Sequence, residues 1–472
     1  MSYNKMQQEK NAIHTDPGDL GDTNRRSDEP LANEPVGHLL FRLSVPSICA
    51  ELVVLLYSTV DRIYLGRIPG TGVAVLAGLG ITGPVITMIN AFGLLIGSGG
   101  GPLVAISMGR EDTEKAHKVL ANSVLLLAVV SIVLTLLLIL FCEPVLRLFG
   151  ADADTLPYAQ DYMRIYAIGN VFTLAVLGLN PFLTTQGFNK ISMKYTSIGA
   201  GLNIILDPIF IYGFGLGIRG AAIATLISQL VSAVLMIRFL FGEKTKIRLR
   251  FYKPELWIMK EILSLGVVTF FFAITQGISH VVCFLMLLRY GSSMDVTVLT
   301  IIFTINQFLM LPVNGLGQGS QPIFSYNYGA KNGGRIRQTL KLVITWIEVS
   351  IILGVLLIEL FPENLFRIFT KDEQIIAMGV PAIRIYMIGM LIFGIHMGIQ
   401  GMFQSIGFAK TAIYVSFFRK GILLIPLVLI LPGISGLGTT GVYLAETITD
   451  VITVINASVM YFVMRKRIYQ MA

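Results

Sequence analysis

Charged residues are scarce in this 472-residue chain, in which Asp, Glu, Lys and Arg together make up 14%. A soluble globular domain carries about 25% of such residues, so the chain has too little charge to cover a surface that faces water. Hydrophobic residues make up 54% of the chain, and its mean hydropathy is +0.73. Most of the surface must therefore face lipid, which excludes a soluble enzyme or a soluble binding domain.

Cysteine and histidine are also few. The three cysteines, Cys49, Cys142 and Cys283, lie in or at the ends of apolar stretches and lack the spacing of metal ligands. We interpret them as small residues that face lipid or the core. The five histidines do not cluster. We therefore expect no metal site, no organic cofactor and no catalytic residue, and an integral-membrane enzyme is disfavoured.

The amino-terminal segment has little apolar content. Residues 1–39 are rich in Asp, Asn, Glu and Gln and contain no apolar stretch before Leu39. Such a segment cannot bury enough surface to fold alone, and it lacks the apolar region of a signal peptide. We predict a disordered cytoplasmic tail over 1–39.

Long apolar runs fill the rest of the chain. A membrane-spanning helix needs about 20 apolar residues, and this length predicts an all-α integral membrane protein with twelve transmembrane helices. The predicted spans are 44–65, 73–107, 118–141, 157–185, 191–212, 219–241, 260–289, 295–328, 336–360, 379–405, 411–431 and 437–463.

The net charge of +8 comes from Lys and Arg residues in the short loops between these runs. They concentrate in the loops of one side, the largest group being Lys244, Lys246, Arg248, Arg250 and Lys253. Positive loops mark the cytoplasmic side of a membrane protein, so we predict a multi-pass protein of the cell membrane with both termini in the cytoplasm. This placement argues against nucleic acid as a partner.

The chain repeats itself after 220 residues. Pro102 aligns with Pro322, Gly109 with Gly329, and the segment 164–166 with 384–386, while an extra residue after the fifth helix aligns Gly220 with Gly441. Each copy has an even number of predicted helices, so the copies run parallel. We predict an N-lobe over 40–241, a cytoplasmic linker over 242–257, a C-lobe over 258–465 and a cytoplasmic tail over 466–472. Two similar lobes around a central cavity are typical of alternating-access carriers.

Acidic residues inside predicted spans are costly and are functional candidates by default. Asp61, Asp207 and Thr225 fall at similar depths, and Asn203 precedes Asp207 by one helical turn. Pro46 and Pro208 lack an amide hydrogen and so each free a backbone carbonyl of their helix. A group of this kind is what a cation or proton site requires, although Asp61 and Asp207 could instead pair locally with Asn203 or Arg62.

The second copy differs at these positions. The counterparts of Asp61, Asn203 and Asp207 are Val281, Leu423 and Leu427. Conversely, Thr225 and Gln229 correspond to Glu446 and Asp450, which form either a second polar patch or a structural pair with Arg384 or Lys420. Further polar candidates for the cavity are Glu51 and Gln276.

Several motifs resemble the multidrug and toxic compound extrusion (MATE) family, closest to its bacterial drug-exporting members. They are Ser44-Val45-Pro46 with Asp61, Gln186-Gly187-Phe188, Asn203 to Pro208, and Gly220 to Thr225 followed by Gln229. The likeness covers about residues 38–465. One departure is the seventh helix, where some members carry an acid and this chain has only Gln276 and His280.

The resemblance implies a secondary antiporter that exports organic, often cationic, drugs in exchange for protons or sodium ions. It implies that Asp61, Asn203, Asp207 and Thr225 form the coupling site and that Pro46 bends the first helix. Its partners would be small organic or amphipathic drugs and membrane lipid, and we expect a monomer.

The rival transporter hypothesis is a flippase for a lipid-linked saccharide precursor. Such a protein favours a strongly basic central cavity, whereas the internal basic candidates here, which we place nearer to helix ends, are Arg164, Arg384, Arg419 and Lys420. A channel or a scaffold would leave the acidic group of the first copy unexplained.

Overall fold

The computed structural model of the protein describes residues 30–68, 72–149, 151, 153 and 155–471. Within these ranges twelve helices are long and apolar enough to cross a membrane, which confirms the predicted all-α class and the number of spans. They are α1 Val36–Gly66, α2 Gly72–Gly109, α3 Thr113–Leu140, α4 Leu156–Thr184, α5 Asn189–Gly213, α6 Ile218–Phe241, α7 Leu256–Tyr290, α8 Ser293–Gly329, α9 Gly333–Leu360, α10 Glu373–Ser405, α11 Ala409–Gly433 and α12 Thr440–Met471. Short helices at Pro30–Asn33, Cys142–Leu148 and Pro362–Phe369 lie outside the spans.

The largest boundary differences are at the two chain ends. The predicted disorder of 1–39 is wrong for residues 30–39, because a short helix and the first turn of α1 lie there, while residues 1–29 fall outside the described part. Leu31 is only 2% exposed, and its carbonyl accepts a hydrogen bond from Asn327 Nδ2 at 3.1 Å. At the other end α12 continues as helix through the predicted tail to Met471. Counting apolar length missed these turns because they are amphipathic and pack on protein.

The internal repeat extends to the conformations of the turns. Gly187 and Gly407, which align at the shift of 220, both have φ of +85°. Asp112 and Asn332 also align, and each side chain accepts a hydrogen bond from the backbone N–H three residues later, at 2.9 and 3.1 Å. Both are N-caps of their helices, α3 and α9. The two lobes therefore share local turn chemistry as well as helix order.

The lobes meet closely at one end of the bundle, which we call the terminal face because Leu31, Asn327 and Tyr469 lie there. Near this face α2 and α8 cross at Gly109 and Gly329, which are repeat counterparts. A Cβ atom added at either glycine would lie 2.0 or 2.1 Å from a carbonyl oxygen of the opposite helix. Only glycine allows helices to approach so closely, so the contact holds the lobes together at this face.

Ion pairs between the lobes lie at the same face. Lys115 Nζ of α3 is 3.1 Å from Glu261 of α7, and Lys118 Nζ is 3.3 Å from Glu255, just before α7. These side chains are partly exposed, so solvent screens both pairs and each contributes little to stability. Together with the glycine crossing, they close the terminal face in this conformation.

The predicted linker 242–257 is packed against the N-lobe. The backbone N–H of Ile247 donates to Gln186 Oε1 at 2.9 Å, and that of Leu249 donates to the carbonyl of Leu240 at 2.8 Å. Ile247 is buried, and helix α7 begins at Leu256, inside the predicted linker. The connection between the lobes is thus part of the folded structure.

Candidate functional site

Two carboxyl groups contact each other inside the N-lobe. Asp61 projects from α1 and Asp207 from α5, and their side chains are within hydrogen-bonding reach of each other. Asp207 is fully buried and Asp61 is half-buried. Neither forms a salt bridge within the part of the chain that the structure describes. Two carboxylates in contact repel each other unless a proton or a cation lies between them.

Asn203 and Thr225 complete this acidic cluster. Asn203 Nδ2 lies 3.2 Å from Asp207 Oδ1 and 3.4 Å from Thr225 Oγ1. Three buried acceptor oxygens receive no hydrogen bond from a donor among the described residues: Asp61 Oδ1, Asp207 Oδ2 and Asn203 Oδ1. A buried acceptor without a donor costs about 1–3 kcal/mol. The structure thus brings together the four residues predicted to couple ions, with oxygen atoms free to receive a proton or a small cation.

Pro208 explains how α5 presents Asp207. The regular helix ends at Pro208, and a π-helical turn follows over Ile209–Gly213. Because proline has no N–H to donate one turn back, the ladder is interrupted here and a wider turn is tolerated. Tyr212 in this turn donates to the carbonyl of Tyr64 at 2.5 Å, which ties the end of α5 to the end of α1.

The other predicted helix-bending residue, Pro46, is buried near the start of α1. The helix is continuous over Val36–Gly66 despite this proline. A bend at Pro46 that depends on the transport state stays a prediction.

A cavity of about 540 Å³ lies beside the acidic cluster. Asn203 and Thr225 belong to both, so the cavity and the buried acids are joined by a short hydrogen-bonded path. Two further predicted residues, Glu51 and Gln229, line the cavity, whereas Gln276 is not among its lining residues. Gln276 instead lies 2.8 Å from the ring of His280 in the C-lobe.

The C-lobe carries a buried group of four charges, Arg419, Lys420, Glu446 and Asp450, which we call the ion tetrad. Arg419 donates to Asp450 Oδ1 at 2.7 and 2.9 Å, and Lys420 Nζ lies 3.3 Å from Glu446 Oε1. The exposed fractions of the four residues are 6, 2, 3 and 1%. The charges cancel, so Glu446 and Asp450 are members of ion pairs rather than free cavity acids.

The structure decides between the two partners considered for these acids and corrects one expectation about the cations. Of the two, Lys420 pairs with Glu446, whereas Arg384 lies elsewhere, with its Nε 3.3 Å from Glu359. Arg419 and Lys420 lie in the π-helical segment Phe418–Leu424 in the middle of α11, not near a helix end. Arg419 and Lys420 already fall near the centre of the predicted span 411–431, so the sequence alone indicated that they are buried in the membrane.

The four residues of the ion tetrad are the repeat counterparts of residues that line the cavity in the N-lobe. At the repeat shift of 220 or 221, the tetrad residues align with Gly199, Ala200, Thr225 and Gln229. All four of these N-lobe residues line the cavity. The small residues Gly199 and Ala200 are thus replaced by the long cations Arg419 and Lys420, and the neutral Thr225 and Gln229 by the acids that pair with them.

Comparisons with known proteins agree with this architecture. The sequence model of the MatE family matches residues 46–209 and 267–430, one segment in each lobe. The "Multidrug export protein MepA" of Staphylococcus haemolyticus (strain JCSC1435) is 26% identical over 431 residues, which cover 91% of this chain and 94% of that protein. The protein of the same name in Staphylococcus aureus (strain MSSA476) is 26% identical over 436 residues, covering 92% and 95%.

Solved structures share the fold. One that is described as the "Outward-facing conformation of a multidrug resistance MATE family transporter of the MOP superfamily" superimposes with a TM-score of 0.87 at 25% sequence identity. The match covers 94% of this chain and 98% of that one.

Proposed function

The chain belongs to the MatE family, the multidrug and toxic compound extrusion proteins, and we propose that it is a secondary active antiporter. It exports organic, often cationic, drugs or toxic compounds in exchange for protons or sodium ions. The observation that carries this proposal is the uncompensated pair of Asp61 and Asp207 beside a cavity of drug-sized volume. The export role of the relatives named MepA supports it.

Coupling follows from competition for negative charge. With the acidic cluster empty, the carboxylates of Asp61 and Asp207 attract a positively charged substrate toward the cavity. A proton or a sodium ion between them removes part of this charge and lowers the affinity for the substrate. Asn203 contacts Asp207 and also lines the cavity, so it transmits the change between the two sites. The two ligands then exclude each other, which exchange transport requires.

Alternating access is the motion that we propose for the two lobes. The terminal face is closed here by the Gly109–Gly329 crossing and by ion pairs between α3 and the segment around the start of α7. With both termini in the cytoplasm of a cell-membrane protein, as the basic loops indicate, this arrangement faces outward. The likeness to a structure described as outward-facing supports that reading. The proposed unit is the monomer, since the cavity lies within a single chain.

A lipid-linked saccharide flippase is less well supported. An anionic pyrophosphate needs basic side chains around its cavity, and no Lys or Arg lines the cavity within the described ranges. The two internal cations of the C-lobe, Arg419 and Lys420, are already neutralised by Glu446 and Asp450. We therefore retain drug export as the proposed function.

The test is dye efflux from membrane vesicles in which a pH gradient and a sodium gradient are imposed separately. We expect one of the two gradients to drive efflux of ethidium, a permanent cation. Asp207→Asn should reduce this efflux to background while the protein still inserts into the membrane. Glu143→Gln is the matched control, because it makes the same chemical change at a half-exposed ion pair outside the spans. Efflux that follows neither gradient, or full activity of Asp207→Asn, contradicts the proposal.

A further inference from the structure

Glu51 is the one charged residue that lines the central cavity within the described part of the chain. It lies on α1, is half-buried, and forms no salt bridge among the described residues. Its Oε1 accepts a single hydrogen bond, from Gln318 Nε2 at 2.7 Å. A neutral amide leaves the negative charge of the carboxylate uncompensated, so this charge is available to a ligand in the cavity.

The hydrogen bond between Glu51 and Gln318 joins the two lobes, because α1 belongs to the N-lobe and α8 to the C-lobe. It lies beside the place where the two helices cross most closely. A Cβ atom added at Gly315 or Gly319 of α8 would lie 2.2 Å from side-chain atoms of Ile48 or Ser44 in α1. The crossing and the hydrogen bond exist together in the conformation with the terminal face closed.

We propose that Glu51 is the counter-charge for a cationic substrate and that Gln318 competes with the substrate for it. When the terminal face opens, α1 and α8 must separate, and the hydrogen bond between the lobes breaks. The Glu51 carboxylate is then free for a cation. When the face closes, Gln318 again donates a hydrogen bond to one carboxylate oxygen of Glu51, and the affinity of Glu51 for the cation falls. This inference rests on the proposed export function for its substrate class, and it adds the residue that recognises the positive charge of the substrate.

The proposed competition supplies the differential affinity that vectorial transport needs. A substrate can bias a two-state equilibrium only through unequal binding to the two states. Binding is tighter with the terminal face open, where the substrate is collected, and weaker with it closed, where the substrate is released. The ion-coupling acids Asp61 and Asp207 do not line the cavity, so the carboxylate that contacts the substrate is distinct from the coupling acids, which act on the substrate from a greater distance. The repeat counterpart of Glu51 is Phe271, so the C-lobe offers no equivalent charge.

Equilibrium binding of ethidium to the purified full-length protein tests the proposal without requiring a gradient. Glu51→Gln keeps the size of the side chain and removes its charge, and we expect ethidium binding to weaken about tenfold, as for the loss of an interaction with a charged group. Gln318→Ala keeps the charge and removes the competing donor, so binding should tighten. Glu51→Asp is the matched control, because it keeps the charge on a shorter side chain that no longer reaches Gln318. It should bind ethidium at least as tightly as the wild type.

Wild-type affinity in Glu51→Gln overturns the counter-charge, and unchanged affinity in both Gln318→Ala and Glu51→Asp overturns the competition. Failure of the wild type to bind ethidium also contradicts the inference. Thermal unfolding of each variant in detergent shows whether a weak binder is still folded. Failure of the proposed antiport looks different: the wild type then binds ethidium with the expected order of variants but exports it under neither gradient.

Discussion

The two lobes bury acidic side chains in opposite ways. The N-lobe places Asp61 against Asp207 without a salt bridge among the described residues, whereas the C-lobe pairs Glu446 and Asp450 with Arg419 and Lys420 in the ion tetrad. The surrounding scaffold is the same in both, down to equal φ angles at Gly187 and Gly407. A duplicated scaffold thus supports two different arrangements of buried charge: the ion tetrad has no net charge to offer an ion, whereas the pair of Asp61 and Asp207 does.

The difference also concerns space. The N-lobe has Gly199 and Ala200 where the C-lobe has Arg419 and Lys420, and small residues leave a cavity that long cations fill. A fully paired, buried group of charges is costly to break but offers nothing to a ligand. We conclude that the C-lobe tetrad is structural and that the binding chemistry belongs to the N-lobe and to the surface between the lobes.

The largest expected effect comes from breaking the tetrad. Arg419→Met leaves Asp450 buried without its partner, and we expect a loss of about 3–5 kcal/mol of stability. Arg419→Met combined with Asp450→Leu removes the pair together and should recover most of this loss. Thermal or denaturant unfolding in detergent micelles measures both. If the single variant is as stable as the wild type, or no less stable than the double variant, the tetrad is not a structural ion group.

An intermediate loss of stability is expected at the two equivalent turn glycines, and it tests whether the two lobes share the same backbone conformation there. Gly187→Ala and Gly407→Ala each force a side chain into a backbone with φ of +85°, and no atom crowds either position more closely than 3.7 Å. The cost is then backbone strain alone, about 1–2 kcal/mol at each site. The two variants should lower the unfolding midpoint by similar amounts. A large loss in one lobe only would mean that the turns are not equivalent.

The smallest effect on stability is expected at the acidic cluster. Asp207→Asn removes the repulsion with Asp61 and keeps an oxygen that can accept from Asn203. The unfolding midpoint should therefore not fall, and the change should stay within about 1 kcal/mol, although ethidium efflux is lost. A destabilisation as large as that of Arg419→Met would show that the N-lobe acids are also structural, and the contrast between the lobes would disappear.

The sequence by itself determined the membrane class, the twelve spans and the repeat. Lipid excludes water from the backbone, so each crossing must be a helix of nearly fixed length, and apolar length alone located most helix ends to within a few residues. The same cost of burying charge singled out Asp61 and Asp207 in advance. The shift of 220 paired these residues with Val281 and Leu427, which predicted that the lobes differ in chemistry.

Only the tertiary structure decided which polar residues meet. The partner of Glu51 is Gln318, far away in the sequence, and Arg419 rather than Arg384 holds Asp450. The short helix Pro30–Asn33 is held against α8 by the hydrogen bond from Asn327 to the carbonyl of Leu31, which no local pattern indicates. Such contacts depend on how each helix is rotated and where it crosses its neighbours. Apolar length leaves both undetermined, because lipid accepts an apolar helix in any rotation, whereas glycine contacts and buried polar groups select one.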